Sequence, residues 1–451
     1  MKVSQPNRTS KGGRLIDRSK TCEFQFDKKT VLFHPGDSIA SALLASGRSI
    51  IGRSFKLHRP RGVYALGTDE PNALVTTGFG PSLTPNQRAT VTPVEEGMSV
   101  SGQNAWPNVQ NDLFGLLDRA RSLLPAGFYY KTFMWPPSQW LRYEGQIRKM
   151  AGLGPPPVEA DSARYAHRNV HTDVLIAGAG PAGLSAALAA GEDGQDVILA
   201  SCGQALGGGL LNHQNAVTDK WLTEIIEKLE ALPNVQIMKM TTVVGVYEHS
   251  LFTLSERLAM RDGRIDGQPE ERFWQVRSER FIIAAGGVER PLLFGDNDRP
   301  GVMLAGAAIG YIWRYGVMAG KAPVIAGADD RIYAIARDFL EAGANVRAVI
   351  DTREEPGAMA DLLAADGVRV ERGAMVARAH GRRRVNAAEI WRCSKSGANK
   401  LDLISTDAIL TTGGYGPALQ LHAQARGKLT WNAGLNAFVP ADSPDGHVSI
   451  G

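Results

Sequence analysis

This sequence predicts an α/β chain: a two-dinucleotide-binding fold of the Rossmann-like, FAD/NAD(P)-binding type, preceded by a cysteine-free β-grasp, ferredoxin-like module. Three observations predict it. An apolar run breaks into Gly178, Gly180 and Gly183, and a small-residue helical pattern follows. A second strand–turn–helix pattern begins at Ala322. Ahead of both, a hairpin, a helix and a return strand are written between Cys22 and Asn86.

The glycine loop, Asp173 to Leu184, is DVLIAGAGPAGL. A strand before and a helix after are the context in which GxGxxG carries information. The first glycine permits a tight turn, the second lets backbone approach a pyrophosphate, and the third packs helix close on strand. Exposed N–H groups at the helix start then face the phosphates, with the helix dipole behind them. Gly178, Ala179, Gly180, Pro181, Ala182 and Gly183 are therefore the candidate dinucleotide contacts. The second strand, Asp196 to Ala200, runs into Ser201 and then a turn at Gly207, Gly208 and Gly209. A later buried strand from Arg280 returns to a glycine turn at Gly286. These five residues complete the candidate set.

The acid that usually binds a ribose hydroxyl closes the second strand, about 20 residues past the loop. Ser201 stands there, followed by Cys202. A serine hydroxyl bonds a ribose more weakly than a carboxylate does, and no arginine is adjacent in sequence to favour a 2′-phosphate.

The N-terminal module begins with CEFQF and KTVLF as a hairpin turning through Asp27 and Lys28. Asp37 or Ser38 caps the helix that follows, and PNALVTTG is the return strand. Iron–sulfur modules of this shape hold their cluster on four cysteines. None occurs between Gly47 and Asn86, which excludes a cluster. The basic group Arg53, Lys56, His58, Arg59 and Arg61 has two readings: a solvated loop, or a face docked on the dinucleotide domain or on a phosphate.

From Thr90 to Pro157 the chain turns aromatic, with PAGFYYKTFMWP followed by Trp140 and Tyr143. Such clusters pack cores, domain contacts or subunit interfaces. Asp219 to Leu232 carries an amphipathic helix, and three strand-like runs form a small antiparallel meander after it. In the second unit, Ala322 to Asp330 is strand and turn, Arg331 to Ala342 the helix, and Asn345 to Ile350 the next strand, ending in Asp351. Here the acid is present and the later loop glycines are not. Asp329 and Asp330 would repel a pyrophosphate, so this repeat is expected to be structural. Ala408 to Gly414 hands the chain back to the first domain.

The expected organisation is a ferredoxin-like module over 20–90 and an aromatic-rich connecting segment over 91–165. The first part of the dinucleotide domain follows over 166–320, the second Rossmann-like unit over 321–405, and the return over 406–451.

The chain has 451 residues, 43% hydrophobic and 21% charged, with a net charge of +4. That is enough for two or three domains, and too little charge to argue for nucleic acid or a membrane surface. Three dispersed cysteines, Cys22, Cys202 and Cys393, suit a reducing cytoplasm and form neither a metal set nor the redox pair of a thioredoxin-reductase-like enzyme. No apolar run approaches the length of a membrane span.

DVLIAGAGPAGL, SFKLHRPRG, EPNALV, PAGFYYKTFMWP and ERPLLFGDNDRPGVMLAGAA together resemble the α subunit family of heterotetrameric sarcosine oxidase, in its N-terminal half. The resemblance implies NAD held non-covalently at Gly178, Gly180 and Gly183. It implies an FAD in the β subunit that oxidises sarcosine to glycine, and an FMN near the α–β contact that passes electrons to oxygen. Hydrogen peroxide and formaldehyde or methylene-tetrahydrofolate are the implied products, and β, γ and δ subunits the implied partners. Because the amine-oxidising residues belong to the β subunit, no catalytic residue is assigned here, and the isolated chain is expected to be inactive. Family members continue into a folate-binding half, so the folate chemistry is not assigned to these residues. The alternatives are a non-catalytic structural subunit or fragment, and a free-standing FAD-dependent oxidoreductase.

Overall fold

The computed structural model describes residues 4–123, 135–150, 154–258, 267–394, 397–443 and 446–450. The chain forms two compact units, each assembled from two stretches distant in sequence: Met1–Asp161 with Pro291–Gly413, and Ser162–Arg290 with Gly414–Gly451.

In the first unit, Cys22–Phe26 and Lys29–Phe33 pair antiparallel through Asp27 and Lys28, both at positive φ. The helix Ile39–Ala45 starts at Ser38, whose side chain accepts from the Ser41 N–H while the Ser41 hydroxyl accepts from the Ser38 N–H. The five-stranded sheet has the order Lys29–Phe33, Cys22–Phe26, Ser99–Gly102, Leu74–Thr77, Thr84–Arg88. Its central strand, Ser99–Gly102, pairs parallel with Cys22–Phe26 and lies in the stretch read from sequence as connecting segment. The one cysteine of this module, Cys22, opens the first strand.

Glu70 organises the loop after the helix. Its Oε2 accepts the N–H groups of Tyr64 (2.8 Å) and Ala65 (2.7 Å), and its Oε1 those of Asn72 (2.7 Å) and Ala73 (3.0 Å). Two members of the basic group, Arg59 and Arg61, pair with acids of this same unit and not of the unit that carries the glycine loop. Arg59 pairs with Asp296 at 2.6 Å and with Asp298 at 3.1 Å, and Arg61 pairs with Asp298 at 2.5 Å. Most of the aromatic run at 125–136 lies outside the described residues.

The same unit carries a parallel sheet ordered Val302–Leu304, Ala408–Thr412, Pro323–Gly327, Ala348–Asp351, Val370–Arg372. One face, with Met303, Ile325, Val349 and Leu410, packs under the helices Ala305–Tyr315 and Arg331–Glu341. The other face, with Val324, Ala326 and Ile350, packs on the three-stranded sheet Ala374–His380, Ala387–Ser394, Gly397–Ser405. Phe24, Phe26 and Leu43 of the N-terminal module share a single core with Tyr311, Tyr333 and Phe339.

The second unit is a seven-stranded sheet with Val235–Met238, Val197–Ala200, Tyr165–Ala177 and Glu271–Ile283 parallel in that order. Leu251–Arg257 and Thr241–Tyr247 continue it antiparallel as the expected meander, and His447–Ser449 pairs with Glu271–Ile283 from the end of the chain. The helices Pro181–Glu192 and Ala216–Ala231 cover one face. Two runs read as separate strands, RFWQVR and the buried return, are one strand of 13 residues. Pairing with an equally long Tyr165–Ala177 lets the polar stretch between them stay extended. Among the described residues no helix is long and apolar enough to cross a membrane.

Candidate functional site

The glycine loop leaves the strand Tyr165–Ala177 between two neighbours. The Gly178 N–H donates to Ala200 O at 2.9 Å, and the Ala284 N–H donates to Ala177 O at 2.9 Å. Gly178 has φ +112, where a side chain is strained, and a Cβ there would lie 2.2 Å from Ala284 O. A Cβ on Gly183 would lie 1.9 Å from Gly178 O, which is how closely the helix is pressed on the strand. Gly180 is different: a Cβ on it meets nothing within 4 Å.

Gly180 is the N-cap of the helix Pro181–Glu192, with φ −77. Pro181 at the first helical position has no N–H to satisfy. The N–H groups of Ala182 and Gly183 lie in the first turn, where no intrahelical acceptor exists. They stand at the positive end of the helix dipole. The Gly207–Gly209 turn comes against the same loop. The Gly207 N–H donates to Ala179 O at 2.8 Å, and a Cβ on Gly208 would sit 3.0 Å from the Gly180 Cα. Cβ atoms on Gly209 and Gly286 would meet nothing within 4 Å.

Ser201 follows the strand Val197–Ala200, is 6% exposed, and its Oγ donates to Gly203 O at a long 3.4 Å. The structure thus brings Ser201 and the Gly207–Gly209 turn beside the loop Gly178–Gly183, with two of its glycines closed and one open, while Gly286 lies two residues past Ala284, which packs on Gly178. The loop fits a pyrophosphate: an uncovered Gly180, the start of a helix with its first-turn amides, and no carboxylate among these residues. A residue not singled out from sequence joins its edge. Lys239 follows the strand Val235–Met238, next to Met238, whose carbonyl accepts the Ser201 N–H at 2.9 Å, and only the pairing of the two strands brings it near.

The second repeat is filled by its own side chains. Asp351, 0% exposed, accepts the Tyr333 hydroxyl at 2.7 Å on Oδ2 and the Arg353 N–H at 2.8 Å on Oδ1. The Arg353 guanidinium binds Asp351 at 2.7 Å and Asp330 at 2.8 Å. Burial, and then the bond to Asp351, push the Tyr333 hydroxyl well above its ordinary value, so it remains a donor. Bonds to Asp351 and Asp330 hold Arg353 in its charged form. A Cβ on Gly327 would meet the Ile332 Cγ2 at 2.5 Å, so the third-glycine position is closed as well. Among the described residues no group of three or more His, Cys, Asp or Glu is placed to hold a metal ion.

The family model for pyridine nucleotide-disulphide oxidoreductases matches residues 172–437. The chain belongs to that family. The match takes in the glycine loop, the meander and the second repeat. A further family model, described as a 2Fe-2S iron-sulfur cluster binding domain, matches residues 19–105. Those residues contain Cys22 alone, so they do not fit a cluster held on four thiolates.

The chain is homologous to "Sarcosine oxidase subunit alpha" of Rhizobium meliloti (strain 1021), at 40% identity over 96% of this chain and 44% of that protein. It is 31% identical to the protein of the same name from Corynebacterium sp. (strain U-96), over 98% of this chain and 42% of that one. The chain therefore spans less than half the length of these relatives. Among solved structures, L-proline dehydrogenase from P. horikoshii shares the fold, with a TM-score of 0.63 at 19% identity, covering 99% of this chain and 70% of that one.

Proposed function

We propose that this chain is the dinucleotide-binding part of an α-type subunit in a sarcosine-oxidase-type complex. The observation that carries the reading is the contrast among the three loop glycines, two sealed against backbone and Gly180 open. Homology to sarcosine oxidase α subunits supports the choice of complex. In this reading Gly178 to Gly183 hold the pyrophosphate of NAD, Ser201 meets the adenosine ribose, and the Gly207–Gly209 turn and Gly286 border the cofactor. The bound dinucleotide supplies nicotinamide redox chemistry or, if it stays oxidised, a structural anchor.

This chain's residues bind and orient. The first-turn amides of Ala182 and Gly183 donate to phosphate oxygens, and Gly180 gives the phosphates room. Amine oxidation belongs to a β-type partner carrying FAD, with FMN near the contact and γ and δ subunits completing the complex in the cytoplasm.

The test uses the purified chain alone and with a β-type partner. Alone it should be colourless, release an adenine dinucleotide on heating, and produce no peroxide from sarcosine when FAD, FMN and NAD are supplied. With the partner, peroxide production should appear. A yellow chain turning over sarcosine by itself would replace the subunit reading with a free-standing flavoenzyme.

A further inference from the structure

We propose that His422 and His447 form a proton-sensitive clasp on the strand His447–Ser449. The strand is held while both rings are neutral, acidification loosens it, and a dinucleotide in the glycine loop keeps it closed. The last of these effects rests on the reading that Gly178–Gly183 hold the dinucleotide.

The strand lies parallel to the end of Glu271–Ile283, with His447 opposite Phe281 and Ser449 opposite Ile283. The Phe281 N–H donates to Gly446 O at 2.7 Å, and the Ile450 N–H donates to Ile283 O at 2.9 Å. With only three residues in this ladder, side chains decide how firmly it is held. The His447 ring meets Phe281 edge to face at 5.8 Å between centroids, and Phe252 at 5.7 Å. Its Nδ1 is buried and, among the described residues, has no hydrogen-bond partner.

His422, on the helix Gln420–Gln424, is 2% exposed and reaches Ser449. Its Nε2 lies 2.9 Å from Lys428 O, and its Nδ1 3.0 Å from Ser449 Oγ. A carbonyl only accepts, so Nε2 carries the hydrogen and the neutral ring takes the Ser449 hydroxyl on Nδ1. A Cβ on Gly427 would meet Nε2 at 2.3 Å, so the ring is pressed on that glycine.

Both contacts suit neutral imidazoles. A proton on His447 puts a charge beside two phenyl rings, with no acceptor for Nδ1. A second proton on His422 makes Nδ1 a donor, and the Ser449 hydroxyl must then reverse. Burial first, and then His422, hold His447 below its ordinary value. The other charged groups on the surrounding elements are engaged or face water. Glu279 and Arg280, beside Phe281, are exposed, and Arg277 donates to His249 O. Glu256 bonds Arg272 and Trp274, and Arg257 stands opposite Glu271. Glu248 pairs with Arg426, and Lys428 with Asp442. The closed strand therefore excludes a proton that the detached strand takes up. Its hold is complete above the ordinary histidine value of about 6.5, and is lost as the pH falls from there through the lowered one.

The clasp reaches the glycine loop through the chain it braces. The Ile450 N–H holds Ile283 O, and the Ala418 N–H donates to Gly286 O at 2.9 Å, one on each side of Ala284. Ala284 O is the atom against which Gly178 is closed, and Ile450 packs on the cluster of Ala179, Leu184 and Ala284.

The test is amide exchange of the full chain, corrected for the intrinsic rate at each pH, on the peptides that carry Phe281 and Ile450. From about pH 7.5 to about pH 5.5 their protection should fall about tenfold, the change carried by one pKa unit. His447→Phe should make protection flat across that range. Ser449→Ala should lower it about threefold or more at every pH, as a lost hydrogen bond implies. NAD at about a hundred times its Kd should raise protection about tenfold or more in the parent and in His447→Phe, because a ligand that needs the closed strand opposes its opening. An equal fall in His447→Phe would overturn the clasp. So would a His447 imidazole that titrates at or above about 6.5 when followed by NMR in the parent. Unchanged protection in Ser449→Ala would remove His422 from it. Protection indifferent to NAD, with NAD bound, would overturn the coupling to the loop. Gly180→Val should lose the response to NAD and keep the response to pH; a retained NAD response would overturn the loop reading and leave the clasp standing.

Discussion

Gly180→Val abolishes dinucleotide binding and leaves the chain folded. The space a Cβ would enter at Gly180 is empty to 4 Å, so the branch point of the valine meets no protein atom there, and its methyl groups extend into the volume proposed for the pyrophosphate. The φ of −77 at this position suits any residue. Bound nucleotide should fall to near zero, while circular dichroism and the urea midpoint stay close to those of the parent. Gly183→Ala separates the two effects. Its single added methyl would lie 1.9 Å from Gly178 O and 3.2 Å from the Ala284 Cβ, so helix and strand must move apart. Overpacking of this kind costs about 1–3 kcal/mol, and more against backbone than against a movable side chain. The alanine variant should lose both ligand and unfolding midpoint. Equal unfolding midpoints for the two variants would contradict the assignment of separate roles.

The second large effect is expected at Glu70. This carboxylate, 2% exposed, is the common acceptor for the N–H groups of Tyr64, Ala65, Asn72 and Ala73. Glu70→Ala strands four amides at once. An unsatisfied buried donor costs about 1–3 kcal/mol, and allowing for relaxation and entry of water the loss should be about 4 kcal/mol or more. Against a total of about 5–15 kcal/mol that is a large share. Glu70→Gln keeps the shape, yet turns an NH2 group toward two of the amides, so it should recover only part of the loss. Denaturant unfolding monitored by tryptophan fluorescence measures both. A Glu70→Ala midpoint within error of the parent would mean that the loop is not held by this residue.

Legibility in the sequence followed the range of the interaction. Asp27 and Lys28 in their turn, Ser38 at its cap and the GxGxxG loop are local, and each declares itself within a few residues. The strand Tyr165–Ala177 did not: HRNVH has no apolar alternation, and it is extended because Glu271–Ile283 supplies its hydrogen bonds. Glu70 was equally silent, since one acid in a polar loop shows nothing of the four amides that converge on it. In the second repeat, Asp351 was legible as the acid of a ribose site. Its capture by Tyr333 and Arg353 was not, because a tyrosine one helix away and an arginine two residues on carry no pattern of their own. Lys239 needed the register of two strands.

The shared core of the N-terminal module and the second repeat has a consequence for how the chain is made. Translation delivers Phe24, Phe26, Ile39 and Leu43 first, and Tyr311, Tyr333 and Phe339, which complete their burial, only after the whole of Ser162–Arg290 has emerged. Domains tend to close as they leave the ribosome; this one has to wait. Throughout that interval an apolar surface faces water without its cover, the condition under which nascent chains recruit holding chaperones or associate with one another. Slow codons or a growth temperature that lengthen the wait would lower the yield of folded protein without altering a single contact of the finished molecule.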